Sequence, residues 1–291
     1  MEGEEGMTSS YFYSRIVPSG DKLLDDAPFA KHSNSGGLHN SPYDQSRIDV
    51  GTDNLIVRMV QGINELNFSQ VVGRGVMATT GIDQDKLGED LPWEEMMKGG
   101  LQTALETQVV VFEVFGVSRV CTHQLVRTRK ATFHQQSQRA TYMGKEPNLR
   151  MPEMVFRNVK ARNAWKTAAL ASVAAYNEAC DGGISYQDAR WILPEGTETY
   201  IQCEYPLRTF LETYAYRGCV MFQWEHVAIM RQMRNLLVQA HPWLEPYVKI
   251  SCEKIHKCTF QGWERVEGHC EFPWAKEDNR TYQPDKKLRI G

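Results

Sequence analysis

At 291 residues, with 42% hydrophobic and 10% aromatic content, the chain can bury a substantial core as one large domain or two small ones. A formal net charge of −3 argues against a general nucleic-acid binder. No run approaches the roughly 18 apolar residues that span a bilayer, and the acidic start Met1-Glu2-Gly3-Glu4-Glu5 is unlike a signal or transit peptide, so no membrane association and a cytoplasmic location are expected.

In chain order, residues 1–53 are rich in Gly, Ser, Asp, Asn and Pro and read as a poorly ordered N-terminal extension. A domain is expected over 54–245, opening on a strand at Asn54–Val60. A polar linker follows, then a short helix beginning at Pro92 with acids in its first turn and Gly99-Gly100 to stop it. Gln108–Phe115 is the clearest strand, β-branched and aromatic with little alternation, hence central. Ser118 can cap a helix carrying Val120, Gln124 and Arg127 on one side. Asn158–Cys180 carries apolar residues at helical spacing and ends at Gly182-Gly183. A capped short helix then leads to Arg190, Thr199–Tyr205 is a strand, Pro206 opens a helix to Gly218, and Gln223–Ala240 is another helix. Residues 246–291 read as a C-terminal extension.

The chain turns on the stretch Arg127–Tyr142, which holds three arginines, a lysine, a serine and three glutamines in sixteen residues without an acid. Between Arg119 and Arg150 there are seven basic residues against one acid, Glu146, whereas residues 1–57 hold four basic against nine acidic. A local positive field in an acidic protein suits a small polyanion. Arg127 and Arg129 point roughly 200° apart if helical and share a face if extended. If Ser137–Thr141 is extended, Ser137, Arg139 and Thr141 line one face, aiming a hydroxyl and a guanidinium at a phosphate or carbonyl.

Seven cysteines, an odd number without a secretion signal, read as reduced thiols. Cys252, His256, Cys258, His269 and Cys270 could bind zinc, but Cys-x5-Cys and an adjacent His-Cys fit neither common finger spacing, so no metal site is assigned and a metal-dependent reading resting on Cys252–Cys270 stands as a lesser alternative. No Ser-His-Asp or Cys-His pairing for covalent catalysis is evident.

The spacing Arg127-x-Arg129, seven residues, Ser137, then x-Arg139 resembles the Arg-His-Arg-x7-Ser signature of the flavin-dependent thymidylate synthases. Three further blocks agree in order: Ala189-Arg190-Trp191-Ile192-Leu193-Pro194; Arg208 and Arg217 leading to Gln223-Trp224-Glu225; and, upstream, Gly100–Glu106. The resemblance covers roughly residues 99–230. It implies an α/β fold, a single large domain with a mixed or antiparallel sheet flanked by long helices, assembled as a homotetramer with each active site shared between subunits. It implies FAD as cofactor, with NADPH and 5,10-methylenetetrahydrofolate as co-substrates and a uridine nucleotide, dUMP or UMP, as substrate.

By the same resemblance Gln124, Ser137, Arg139 and Arg190 hold the nucleotide, with Gln135 and Gln136 beside them, and Arg217 orients and activates the uracil ring. Arg127 and Arg129 lie between nucleotide and flavin, and Thr103, Thr128, Lys130, Gln135 and Arg208 fall on the flavin side. Thr128, Leu101 and Met221 stand where the family has His, Gln135 where it has Glu, and Pro206 and Glu212 where it often has Asn. Nucleotide-side residues persist while flavin-side ones drift, which implies a specialised C5-methylase. The alternative is a degenerate relative that binds nucleotide or RNA without turnover.

Overall fold

The computed structural model describes residues 48–65, 68–80, 97, 102–144, 147–258, 260, 270 and 272. The helix expected from Pro92 lies outside them apart from Met97. The first elements are β1 (Ile48–Val50), β2 (Ile56–Gln61), a π-helical turn (Phe68–Gly73) running into α1 (Arg74–Thr80), and a 3-10 turn (Gln102–Thr107). The polar linker expected after the first strand is therefore partly helical: Phe68, Val72 and Val76 fall on one buried side, spaced four apart, which gives the segment a core face despite its glycines.

β3 (Val109–Ser118) passes without a loop into α2 (Arg119–Leu125) and then β4 (Thr132–Gln135), β5 (Leu149–Met151), α3 (Glu153–Arg157) and α4 (Val159–Asp181). After the short α5 (Tyr186–Ala189) come β6 (Glu198–Pro206), α6 (Leu207–Arg217), α7 (Trp224–Ala240) and α8 (Ser251–Ile255). The main sheet has the order β2-β3-β6-β4 and is antiparallel throughout; β1 and β5 form a separate parallel pair. The continuous apolar run of β3 is central, as its composition predicts.

One face of the sheet is apolar. Val110, Phe112 and Val114 of β3 and Ile201, Cys203 and Tyr205 of β6 pack against Phe210 of α6 and Ile229, Met230 and Met233 of α7. Phe210 anchors this layer, with ring centroids 5.5 Å from Phe112 and 5.8 Å from Tyr205. Val248 and Ile250, in the segment read as a C-terminal extension, belong to the same cluster. Among the described residues no helix is long and apolar enough to cross a membrane.

A buried charge network fixes the other end of β3. Arg150, only 2% exposed, donates to the carbonyls of Gly116 (2.7 Å), Gly51 (2.6 Å) and Asp53 (3.0 Å) and to Glu198 Oε1 (2.8 Å). Asp49 and Glu225 lie 3.9 and 3.5 Å from the same guanidinium. The arginine reaches this position because Gly116 has no side chain. Its φ is +70°, and a Cβ there would sit 2.8 Å from the Asn54 carbonyl and 3.2 Å from Arg150 itself. Asp49 ties residues read as an N-terminal extension into this network.

Candidate active site

Ser118 sets the direction of α2. Its Oγ accepts from Cys121 N (3.1 Å) while donating to Glu225 Oε2 (2.5 Å), and its backbone N–H donates to Glu225 Oε1 (2.7 Å). The expected cap is thus present, and a buried carboxylate from α7 locks it. Burial pushes Glu225 up, against the opposing pull of the Ser118 hydrogen bonds and Arg150. Gln124, half-buried, stands on the last turn of α2.

The helix stops at Leu125, earlier than its pattern suggests, and Arg127 and Arg129 follow in tight turns. Arg127 N–H reaches Gln124 O (3.2 Å), Thr128 N–H reaches Leu125 O (3.1 Å) and Ala131 N–H reaches Thr128 O (3.1 Å). Neither the helical nor the extended geometry considered for the arginine pair is adopted, since this loop must reverse the chain from α2 into the edge strand β4. Arg127, Arg129 and Lys130 are exposed and Thr128 is half-buried.

β4 places Gln135 beside α2, where its Nε2 donates to Thr122 Oγ1 (2.9 Å), and Gln136 N–H continues the sheet to Tyr200 O (3.0 Å). Beyond it the chain turns. Thr141 N–H donates to Ser137 O (2.9 Å) and Ala140 N–H to Ser137 Oγ (3.3 Å). The extended face of Ser137, Arg139 and Thr141 is therefore not formed. A hydroxyl that can bond its own backbone favours the turn over the strand. Gln138 points inward and Arg139 outward. Tyr142 then stacks on Tyr176 (6.1 Å) and Tyr186 (5.4 Å), holding the turn against α4 and the segment that carries Arg190.

Arg190 is half-buried, with Nε donating to Gln187 O (3.2 Å). Arg119, counted in the basic stretch but not assigned to the site from sequence, is close enough to Arg190 for the two charges to oppose each other. Backbone bonds from Arg119 N to Thr197 O and from Val120 N to Glu195 O, each 3.2 Å, seat the start of α2 on the 190–197 segment. Burial lowers the Arg119 pKa; Glu195 opposes this and the Arg190 charge adds to it. One signal was available, since an arginine in the first turn of a helix opposes the dipole.

Arg217 ends α6, half-buried, with its guanidinium 4.7 Å from the Phe222 ring centroid. Beside it His226 is fully buried, and neither ring nitrogen has a hydrogen-bond partner among the described residues. Burial, reinforced by the Arg217 charge, pushes His226 down to about 3, so its imidazole is neutral. At the other end of α6, Arg208 pairs with Glu212 (2.9 Å) and Glu106 (3.3 Å). Glu106 belongs to the 3-10 turn that also exposes Thr103. Leu101 lies outside the described residues, and Met221 is half-buried.

The residues gather in two groups, one around α2, β4 and Arg190, the other on α6 and the 3-10 turn, that share no hydrogen bond or ion pair among the described residues. Arg119, Arg127, Arg129, Lys130, Arg139 and Arg190 form no ion pair with a described carboxylate. Cations left in this state are available to anions.

Comparison with known proteins identifies the family and the fold. The family model described as thymidylate synthase complementing protein matches residues 80–243. Flavin-dependent thymidylate synthases are similar in sequence: that of Pyrococcus abyssi is 34% identical over 171 residues, 58% of this chain and 69% of the relative. That of Geobacter sulfurreducens is 34% identical over 150 residues, 51% of this chain and 65% of the relative, and that of Pyrococcus furiosus 33% over 147 residues, 50% and 59%. The fold is similar to the crystal structure of a UMP/dUMP methylase, PolB from Streptomyces cacaoi bound with 5-Br dUMP, at a TM-score of 0.56 and 16% identity, covering 70% of this chain and 99% of that one. The chain belongs to the thymidylate synthase complementing protein family and is an enzyme of that kind.

Proposed function

We propose that the chain methylates C5 of a uridine nucleotide, dUMP, UMP or both, taking the one-carbon unit from 5,10-methylenetetrahydrofolate and reducing equivalents from NADPH through FAD. The observation that carries this reading is that Arg119, Arg127, Arg129, Lys130, Arg139 and Arg190, exposed or half-buried, form no ion pair with a described carboxylate, on a family member whose relatives are flavin-dependent thymidylate synthases.

A nucleotide monophosphate needs bidentate donors for its phosphate and donors at the ring carbonyls. Arg139 and Arg190, with Ser137 and Gln124, take the phosphate and sugar side, with Gln135 and Gln136 at its border. Arg217 donates to the uracil carbonyl as negative charge develops there, held by Phe222 and kept free of competition by a neutral His226. Arg127 and Arg129 stand between nucleotide and flavin, with Thr103, Thr128, Lys130 and Arg208 on the flavin side. This donor set fits an anionic ring system, since Arg127, Arg129 and Lys130 pair with no carboxylate among the described residues. When bound, the flavin supplies hydride and one-carbon transfer. No protein thiol is needed as a nucleophile, and burial pushes the Cys121 and Cys203 thiols up, away from reactive thiolate. A homotetramer would bring the α6 group of one subunit to the α2 group of another, completing each site across an interface.

The test is a purified full chain supplied with FAD, NADPH and 5,10-methylenetetrahydrofolate. A flavin band that bleaches on adding NADPH, with tritium released from C5-labelled dUMP or UMP, supports the reading. Protein that cannot be reconstituted with flavin and releases no tritium refutes it in favour of a binding module.

A further inference from the structure

Four cysteines that are distant in the chain face one cavity. Cys219, from the connection between α6 and α7, meets Cys252, Cys258 and Cys270 around a space with room for one water-sized occupant. All four are thiols rather than disulfides. Two of them sit in the same kind of turn: Cys219 Sγ accepts from the N–H of Met221, and Cys258 Sγ accepts from the N–H of Phe260 (3.4 Å), each two residues on. Backbone donors aimed at sulfur stabilise a thiolate and orient it as a ligand. Arg231 lines the same cavity, its Nε donating to Gly218 O (3.1 Å), and places a positive charge next to the sulfurs.

A dication held there would take the thiols as thiolates and offset their mutual repulsion.

We propose that Cys219, Cys252, Cys258 and Cys270 are the four ligands of a structural zinc ion. Four cysteines lining one small space supply the sulfur donors that structural zinc takes, and soft sulfur disfavours magnesium and calcium. Among the described residues no three or more His, Cys, Asp or Glu side chains already stand at ligand spacing. Binding would require the sulfurs to close from their present spacing to Zn–S distances of about 2.3 Å. Arg231 offsets part of the net negative charge of such a centre.

The site lies immediately beyond Gly218, the C-cap of α6, so the ion clips the segment after α8 onto the turn that follows Arg217. Phe260, in the Cys258 turn, packs edge-on against Phe222 (6.3 Å), and Phe222 faces Arg217. The zinc would thereby brace the platform under Arg217; that consequence, unlike the ion itself, rests on the function proposed above.

The full chain, purified in reducing, metal-free buffer, should carry about one zinc per chain by elemental analysis. Cys258→Ser and Cys219→Ser should lose it, whereas Cys180→Ser, outside the cavity, should retain it. If the serine variants fail to fold, titration of the wild-type chain with p-hydroxymercuribenzoate gives the same answer, with one zinc released as thiols react. No zinc in the chain and none taken up from stoichiometric zinc chloride, iron in its place, or zinc retained by both serine variants would overturn the assignment. Zinc present in a chain that methylates no nucleotide would leave the ion standing and count against the function instead.

Discussion

Arg139 and Arg150 are eleven residues apart in one basic stretch and live in opposite surroundings. Arg150 is buried, donates to three backbone carbonyls and Glu198, and has Asp49 and Glu225 nearby. Arg139 is exposed on a turn and forms no ion pair among the described residues. The first arginine is fully committed to joining β1, β3, β6 and α7. The second is held out by a serine-capped turn and a tyrosine stack, with its charge available to something else. Charge density marks the stretch as anion-facing, but only the fold sorts the cation that belongs to the architecture from those that can serve a ligand.

Four substitutions sharpen that division. Arg150→Met should have the largest effect, because it leaves Asp49, Glu198 and Glu225 buried without their cation. Loss of one member of such a network costs about 3–5 kcal/mol, read as a lower urea midpoint, and an unchanged midpoint would remove the structural role given to Arg150. Arg217→Ala should lower kcat by about 100- to 1000-fold, the usual loss on removing a donor to developing negative charge, with the flavin still bound. Arg139→Ala should raise the nucleotide KM by roughly 10- to 100-fold, as expected for one charged hydrogen bond, while its unfolding free energy stays within about 0.5 kcal/mol of wild type.

The fourth and smallest effect concerns pH. His226 titrates near 3 in the fold against 6.5 as a free side chain, so the unfolded state binds the proton first as pH falls. Its contribution is intact above the unfolded value and is lost progressively between pH 6.5 and 3, on the order of 2 kcal/mol by pH 5. His226→Leu should flatten stability across that window. An unaltered acid slope, measured by urea melts at pH 7 and pH 5, would show that His226 is not the group responsible.

What the sequence disclosed follows the same division. β3 and β6 were legible because a central strand is apolar along its length or alternates cleanly, and α4 and α7 because their periodicity and caps are local. β1, β4 and β5 were not, since three or four residues carry no period and their pairing depends on distant partners. Phe68–Thr80 was hidden by glycines and polar residues between its core positions. The spaced arginines and Ser137 were readable as a motif, whereas the turn that Ser137 makes was not. Arg150 could not be told from its neighbours because Asp49, Glu198 and Glu225 are remote in sequence. Cys219 escaped for the same reason: it stands 33 positions before Cys252, and only folding brings it to the other three thiols.

The central claim, that Arg139 in the turn after β4 and Arg190, which form no ion pair with a described carboxylate, hold a nucleotide phosphate, is tested most directly by calorimetric titration of the reconstituted full chain with dUMP, UMP and deoxyuridine. The account predicts that at least one monophosphate binds with an affinity that falls as salt rises, that deoxyuridine binds at least tenfold more weakly, and that Arg139→Ala and Arg190→Ala narrow the difference. Equal affinity for the nucleoside and its monophosphate would contradict it.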